Sequence, residues 1–174
     1  ENAKLERGAF ASLTSVYYVT DLYIGEKVDF FDIAGVFGGA KLKNVKVAEG
    51  NESFGSYVIN KETGETDNVL YDADITKIIY FPSTKTGDYT IPDSVTEIGD
   101  EVFANKSITE IKIGANVTTI GKNAFANCHN LEKIIFDDGT AELTIGEGAF
   151  RNCTNSKFTV LTLPARTRTI GAYA

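Results

Sequence analysis

The sequence predicts a solenoid of β-rich coils stacked on one another, each coil too small to bury its own apolar face. Three observations carry this. The stretch Thr119-Ile120-Gly121-Lys122-Asn123-Ala124-Phe125-Ala126-Asn127-Cys128 returns 25 residues later as Thr144-Ile145-Gly146-Glu147-Gly148-Ala149-Phe150-Arg151-Asn152-Cys153, and a variant begins 22 residues earlier at Glu97-Ile98-Gly99. Each anchor phenylalanine is followed by aliphatic residues spaced L-x-x-I-x-I. The last residues of that pattern alternate, which is the period of a strand with one buried face.

Taken in order, Leu5-Glu6-Arg7-Gly8-Ala9-Phe10 matches Ile145 to Phe150, so the chain opens inside a repeat. Leu13, Val16 and Tyr18 offer a short strand, and Leu22 to Val28 resembles Ile111 to Val117. Val36-Phe37 is the next anchor, with Leu42, Val45 and Val47 at offsets 5, 8 and 10 from Phe37. Ile108, Ile111 and Ile113 stand at the same offsets from Phe103, whereas Leu131, Ile134 and Phe136 come one residue later after Phe125. After Phe150, with a further insertion, the series reads Phe158, Leu161 and Leu163.

The 65 residues between Phe37 and Phe103 lack the Ile-Gly-x-x-Ala-Phe signature. Val69-Leu70-Tyr71 and Ile75 to Pro82 read there as two strands around a turn at Asp72-Ala73-Asp74, with a polar loop over 60–68. The expectation is a single domain over 1–174, with irregular, hairpin-bearing repeats at about 48–88 and regular ones at 89–174. Both termini cut a repeat, so the chain is expected to be a fragment of a longer array.

These residues resemble the BspA-like leucine-rich repeats, a bacterial and protist class of about 23 residues per unit. The signature Ile-Pro-x-x-Val-x-x-Ile-Gly-x-x-Ala-Phe-x-x-Cys-x-x-Leu-x-x-Ile-x-Ile runs through 91–113, 117–136 and 145–163. The departures are Lys106 in the Cys slot, Glu6 in the Gly slot, and stretched spacing after Phe125 and Phe150. The resemblance implies a leucine-rich-repeat solenoid: a right-handed coil with short strands on its concave face and turns or short helical segments on the other. It also implies a cell-surface or secreted protein of adhesion or recognition, with no conserved active site.

The composition restricts partners. A net charge of -7 argues against the clustered Lys and Arg that phosphate backbones require. No apolar run approaches the ~18 residues of a membrane-spanning helix, so no membrane insertion by this chain is expected. No motif for a cofactor or metal stands out: Asp137-Asp138-Gly139-Thr140 lacks the spaced acidic series of a calcium loop and reads as a turn. The Gly35-Val36-Phe37-Gly38-Gly39 run is not followed by the Lys-Ser/Thr of a phosphate loop.

Cys128 and Cys153 hold equivalent positions and read as buried thiols in a small apolar slot, although a disulfide between adjacent coils is within reach. His129, the only histidine, follows Cys128 directly. Neighbours in an extended stretch point to opposite sides, so the two make a poor nucleophile–base pair and His129 reads as solvated. Gly99, Gly121, Gly146 and Gly171 follow the same apolar position, where either a positive φ or a close approach of coils would require glycine. Phe103, Phe125 and Phe150 should stack in a row.

The candidate binding residues are the outward positions of the L-x-x-I-x-I strands, because solenoids bind through contiguous repeated surfaces. One column is Lys46, Ile79, Lys112, Ile135 and Thr162; the other is Asn44, Lys77, Glu110 and Lys133. No catalytic residues are identified. Two functions remain: a non-enzymatic module binding a protein or glycan ligand on host or neighbouring cells, and a structural spacer without a ligand of its own.

Overall fold

The computed structural model describes residues 20–29 and 42–174, and these form two compact units. The motifs read in 5–18 and 35–39 lie outside the described residues. The described residues contain strands, turns and bends but no helix. Of the two expectations for the side opposite the strands, turns are therefore the one found.

The first unit comprises the described residues up to Ile75 together with Ile79–Thr84. Its strands are β1 (Asp21–Ile24), β2 (Asn44–Val47), β3 (Phe54–Gly55), β4 (Val58–Asn60), β5 (Glu65–Thr66) and β6 (Leu70–Asp72). β1 and β2 pair in parallel, with Leu22 opposite Val45 and Ile24 opposite Val47. β3 pairs antiparallel with β6, and β4 with β5. The polar stretch read as a loop thus contains one arm of a hairpin. Asn60 caps its tip, accepting from the Glu62 and Thr63 N–H groups, while Gly64 supplies a φ of 69°. Ile24, Leu42, Val45, Phe54, Leu70 and Tyr80 make the core, with Leu22, Val28, Val47 and Ile79 packed around it. Asn51 fastens this core: its amide donates to Gly25 O and Val28 O, and its Oδ1 accepts from Ser53 N and Phe54 N.

The second unit comprises Thr76–Ile78 and Lys85–Ala174. It is a regular solenoid with three ladders. The first is a parallel sheet in the order β7, β9, β11, β13, β14, where β7 is Lys77–Tyr80, of which Lys77 and Ile78 belong to this unit, β9 Glu97–Ile98, β11 Thr119–Ile120, β13 Leu143–Ile145 and β14 Thr167–Ile170. The second is a parallel sheet of β8 (Gly87–Thr90), β10 (Ile108–Ile113) and β12 (Lys133–Phe136), with β10 in the middle. The third has no strands. Alternate N–H groups of each turn donate to the next coil: Phe103 to Ala124 O, Asn105 to Ala126 O, Phe125 to Ala149 O and Asn127 to Arg151 O, at 2.7–2.9 Å. The turn side is therefore satisfied coil to coil, as a buried backbone must be.

That third ladder needs a backbone that alternates its hand, and the sequence supplies it. Asn105, Asn127 and Asn152 have φ of 58–59°, a region that Asn tolerates best after Gly. Each precedes the Lys106, Cys128 and Cys153 slot, so the Asn turn expected from the motif is present. The repeated glycine serves the other proposed end. A Cβ on Gly99 would lie 2.7 Å from Ile78 O, on Gly146 2.7 Å from Gly121 C, and on Gly171 2.5 Å from Glu147 N. Close approach of coils, not positive φ, excludes a side chain at these positions.

Inside, Ile78, Ile98, Ile120 and Ile145 run along the first sheet and are fully buried. Tyr89, Ile111 and Ile134 run along the second and are buried, Ile111 completely. Between them the phenylalanines stack, with Phe103 and Phe125 at 4.9 Å and Phe125 and Phe150 at 5.4 Å between ring centroids. Each such ring removes ~150–250 Å² from water, which a single coil could not do alone.

Two placements differ from the sequence expectation. Lys77 and Ile78 belong to the first ladder, opposite Glu97 and Ile98, and not to the L-x-x-I-x-I ladder. The cause is local: Thr76 O accepts the N–H groups of both Thr96 and Glu97, and Ile78 O accepts that of Gly99. The series Phe158, Leu161, Leu163 forms no strand. The inserted residues after Cys153 fold into a turn in which Asn155 accepts from Lys157 N and Phe158 N, and Lys157 O accepts from Thr159 N. Those N–H groups are thereby withdrawn from any ladder, and Leu161 is left exposed.

Candidate binding surface

The outer face of the β8–β10–β12 sheet carries the predicted residues that the structure does bring together. Lys112 is the rung partner of Thr90 on one side and Ile135 on the other, and Glu110 is the partner of Lys133. The parallel register holds these rungs ~4.8 Å apart. Ile135 is half-buried, flanked by charged side chains.

The charges on this face are engaged with one another. Lys133 Nζ lies 3.3 Å from Glu110 Oε2, Lys112 Nζ 3.1 Å from Asp137 Oδ2, and Lys157 Nζ 2.7 Å from Glu132 Oε1. Thr109 donates to Asp88 at 2.6 Å. Each pair joins successive coils, so Asp137, read as part of a turn, serves as a partner for Lys112. Exposed pairs of this kind contribute roughly 0–1 kcal/mol each. Their main effect is to hold the side chains in fixed places and to balance the charge of the face.

The remaining candidates fall elsewhere, so the two columns are not continuous. Lys77 sits on the first sheet, 2.5 Å from Glu97 Oε1. Ile79 is partly buried and packs against the core of the first unit. Asn44 and Lys46 lie on β2 opposite Asp21 and Tyr23. The Thr20 hydroxyl donates to Asp21 Oδ2 and Asn44 Nδ2 to Asp21 Oδ1, and these hydrogen bonds, that of Thr20 first, hold the Asp21 carboxyl below the usual carboxylate range. Thr162 is exposed but lies outside any strand.

On the turn side, Cys128 is buried and Cys153 half-buried, and both are free thiols. His129 is exposed, with Nδ1 3.0 Å from Thr154 Oγ1, so it does face away from Cys128. A shallow polar cleft lined by Glu101, Asn105, Asn127, Arg151 and Asn152 has a volume of about 230 Å³. This is below the ~300–1,000 Å³ of small-molecule sites. Among the described residues no cluster of three or more His, Cys, Asp or Glu could hold a metal ion.

Arg166 carries no signal in the sequence that marks it as structural. It is buried, and its guanidinium donates to Val117 O and Ala141 O through one nitrogen and to Gly114 O through the other. Loss of hydration lowers its pKa from the ordinary value. It ties together backbone segments of neighbouring coils where strands are absent.

Known proteins with this architecture include a leucine-rich repeat protein from Eubacterium ventriosum, at 22% identity and TM-score 0.55 over 89% of this chain and 51% of that one. A leucine-rich cell surface protein from Faecalibacterium prausnitzii matches at 24% identity and TM-score 0.65, over 87% of this chain and 37% of its own. The pneumococcal vaccine antigen PcpA matches at 20% identity and TM-score 0.51, over 88% and 51%. The chain thus spans about half or less of these solved proteins, and the likeness is one of fold. No curated protein matches it. The model of the BspA-type leucine-rich repeat region matches six copies over residues 74–174, more than half of the sequence, and the chain therefore belongs to the BspA-type leucine-rich repeat family.

Proposed function

We propose that this chain is a non-catalytic binding module of an exported bacterial protein, and that it engages a protein or glycan ligand through the outer face of the β8–β10–β12 sheet. The observation that carries the reading is the Thr90–Lys112–Ile135 rung, which sets a half-buried isoleucine beside a positioned ammonium group and a hydroxyl. Such a mixed apolar and polar row on a rigid ladder is suited to contact with a partner, since its side chains are already ordered. Export and surface display are supported by the description of the Faecalibacterium protein as a cell surface protein.

The test is a binding screen against extracellular-matrix proteins and a glycan array, comparing the chain with its Lys112→Glu, Ile135→Asp double variant. Saturable binding that the variant loses, while its melting transition survives, supports the module. The cross-coil pairing of charges on the same face favours a second reading, a spacer that carries another domain, for which no saturable binding is expected.

A further inference from the structure

Cys128 and Cys153 end the same ten-residue motif in successive coils. The turn ladder fixes their register: Phe125 N donates to Ala149 O at 2.7 Å and Asn127 N to Arg151 O at 2.8 Å. Coils so paired lie one rung, ~4.8 Å, apart, inside the ~4.4–6.8 Å Cα separation that a disulfide spans. The Cys153 side chain points toward the turn of Cys128, and that of Cys128 has to turn back from Phe103 O to meet it. Each leans toward the preceding coil, with Cys128 Sγ 3.0 Å from Phe103 O and Cys153 Sγ 3.2 Å from Phe125 O. Phe125 O in turn accepts the Cys128 N–H. The sulfur of Cys153 therefore hangs over the turn that carries Cys128.

The two thiols are not equivalent. Cys153 is half-buried and can be reached from solvent, whereas Cys128 is wholly enclosed. The neighbouring Cys153 thiol, and then burial, push the Cys128 thiol up. One coil earlier the same slot holds Lys106, whose ammonium favours the Cys128 thiolate once Cys153 no longer competes.

We propose that Cys128 and Cys153 are a redox-closable pair, which a small-molecule disulfide converts into an intrachain bridge between successive coils. Cys153 loses its proton, and its thiolate attacks one sulfur of the reagent. The reagent's S–S bond breaks, one of its thiolates leaves and takes up a proton, and a mixed disulfide remains on Cys153. Cys128 then attacks the Cys153 sulfur, its proton passing to the second half of the reagent, which departs as a thiol. Two protein thiols are oxidised and one disulfide is reduced to two thiols. The bridge replaces two S–H···O contacts with a covalent link across the turn ladder, where no strands hold the coils, and so raises the resistance to unfolding.

The experiment treats the folded chain with oxidised glutathione and follows thiol content, intact mass without reductant, and disulfide-mapped peptides. The expected product has no free thiol, is lighter by two hydrogens, carries no glutathione, stays monomeric, melts at higher temperature and yields a linked Cys128–Cys153 peptide. Cys128→Ser should stop at a glutathione adduct on Cys153. A persistent adduct on wild-type Cys153, disulfide-linked dimers, or no reaction short of unfolding would each overturn the proposal. The wild-type peptide map decides the matter even if the serine variant does not fold.

Discussion

The rings of Phe103 and Phe125 are parallel to within 2°, with centroids 4.9 Å apart. Phe125 is the middle of the stack, since Phe150 covers its other face at 5.4 Å. Phe125→Ala should therefore cost about 3–5 kcal/mol, measured as the loss of unfolding free energy in urea. Phe150, which is 8% exposed where Phe125 is 0% exposed, should cost less on the same substitution. Equal losses at the two positions would refute the stack as a source of stability, since the number of ring neighbours would then not matter.

Arg166 supports a second prediction. Its guanidinium serves three carbonyls, and among the described residues no carboxylate pairs with it at ion-pair distance. Arg166→Ala takes this donor from Val117 O and Ala141 O, while Gly114 O keeps the Val117 N–H, at a cost of ~1–3 kcal/mol. Arg166→Lys should recover little of this, because an ammonium cannot reproduce the planar fork that spans separate acceptors. Thermal melts of the two variants test it: full rescue by lysine would show that charge alone, not fork geometry, matters.

These two residues mark what the sequence made legible and what it hid. The phenylalanine stack is readable because identical residues at repeat spacing must fall in register once coils stack. The Asn turn and the glycine column are readable for the same reason. Arg166 is not, because it occurs once, and an isolated arginine reads as surface until its neighbours are known. The sheet to which Lys77 belongs is hidden for a different reason. Alternation tells which side chains point inward but not which of two parallel sheets a strand joins, and both sheets here use β-branched residues in alternation. That choice rests on backbone acceptors such as Thr76 O, which carry no side-chain signature. Likewise the candidate lysines were visible, but their acidic partners one coil away were not, since pairing depends on which positions become rung neighbours.

Tyr80 gives a prediction in pH. It is 5% exposed in the core of the first unit, and burial pushes its phenol up to about 12. The unfolded chain ionises this group near ~10. Because the folded pKa is raised, the neutral phenol contributes fully to stability below pH ~10, and the contribution is lost as pH rises from there through about 12. At ~1.4 kcal/mol per pKa unit, about two units correspond to roughly 3 kcal/mol of alkaline destabilisation from this residue. Tyr80→Phe removes the titrating group while keeping the ring. Denaturant melts of both proteins between pH 8 and 12 should therefore start close together and diverge above about pH 10, with the phenylalanine variant losing less. Parallel curves across that range would show that Tyr80 stays protonated to no greater pH in the folded chain than in the unfolded one.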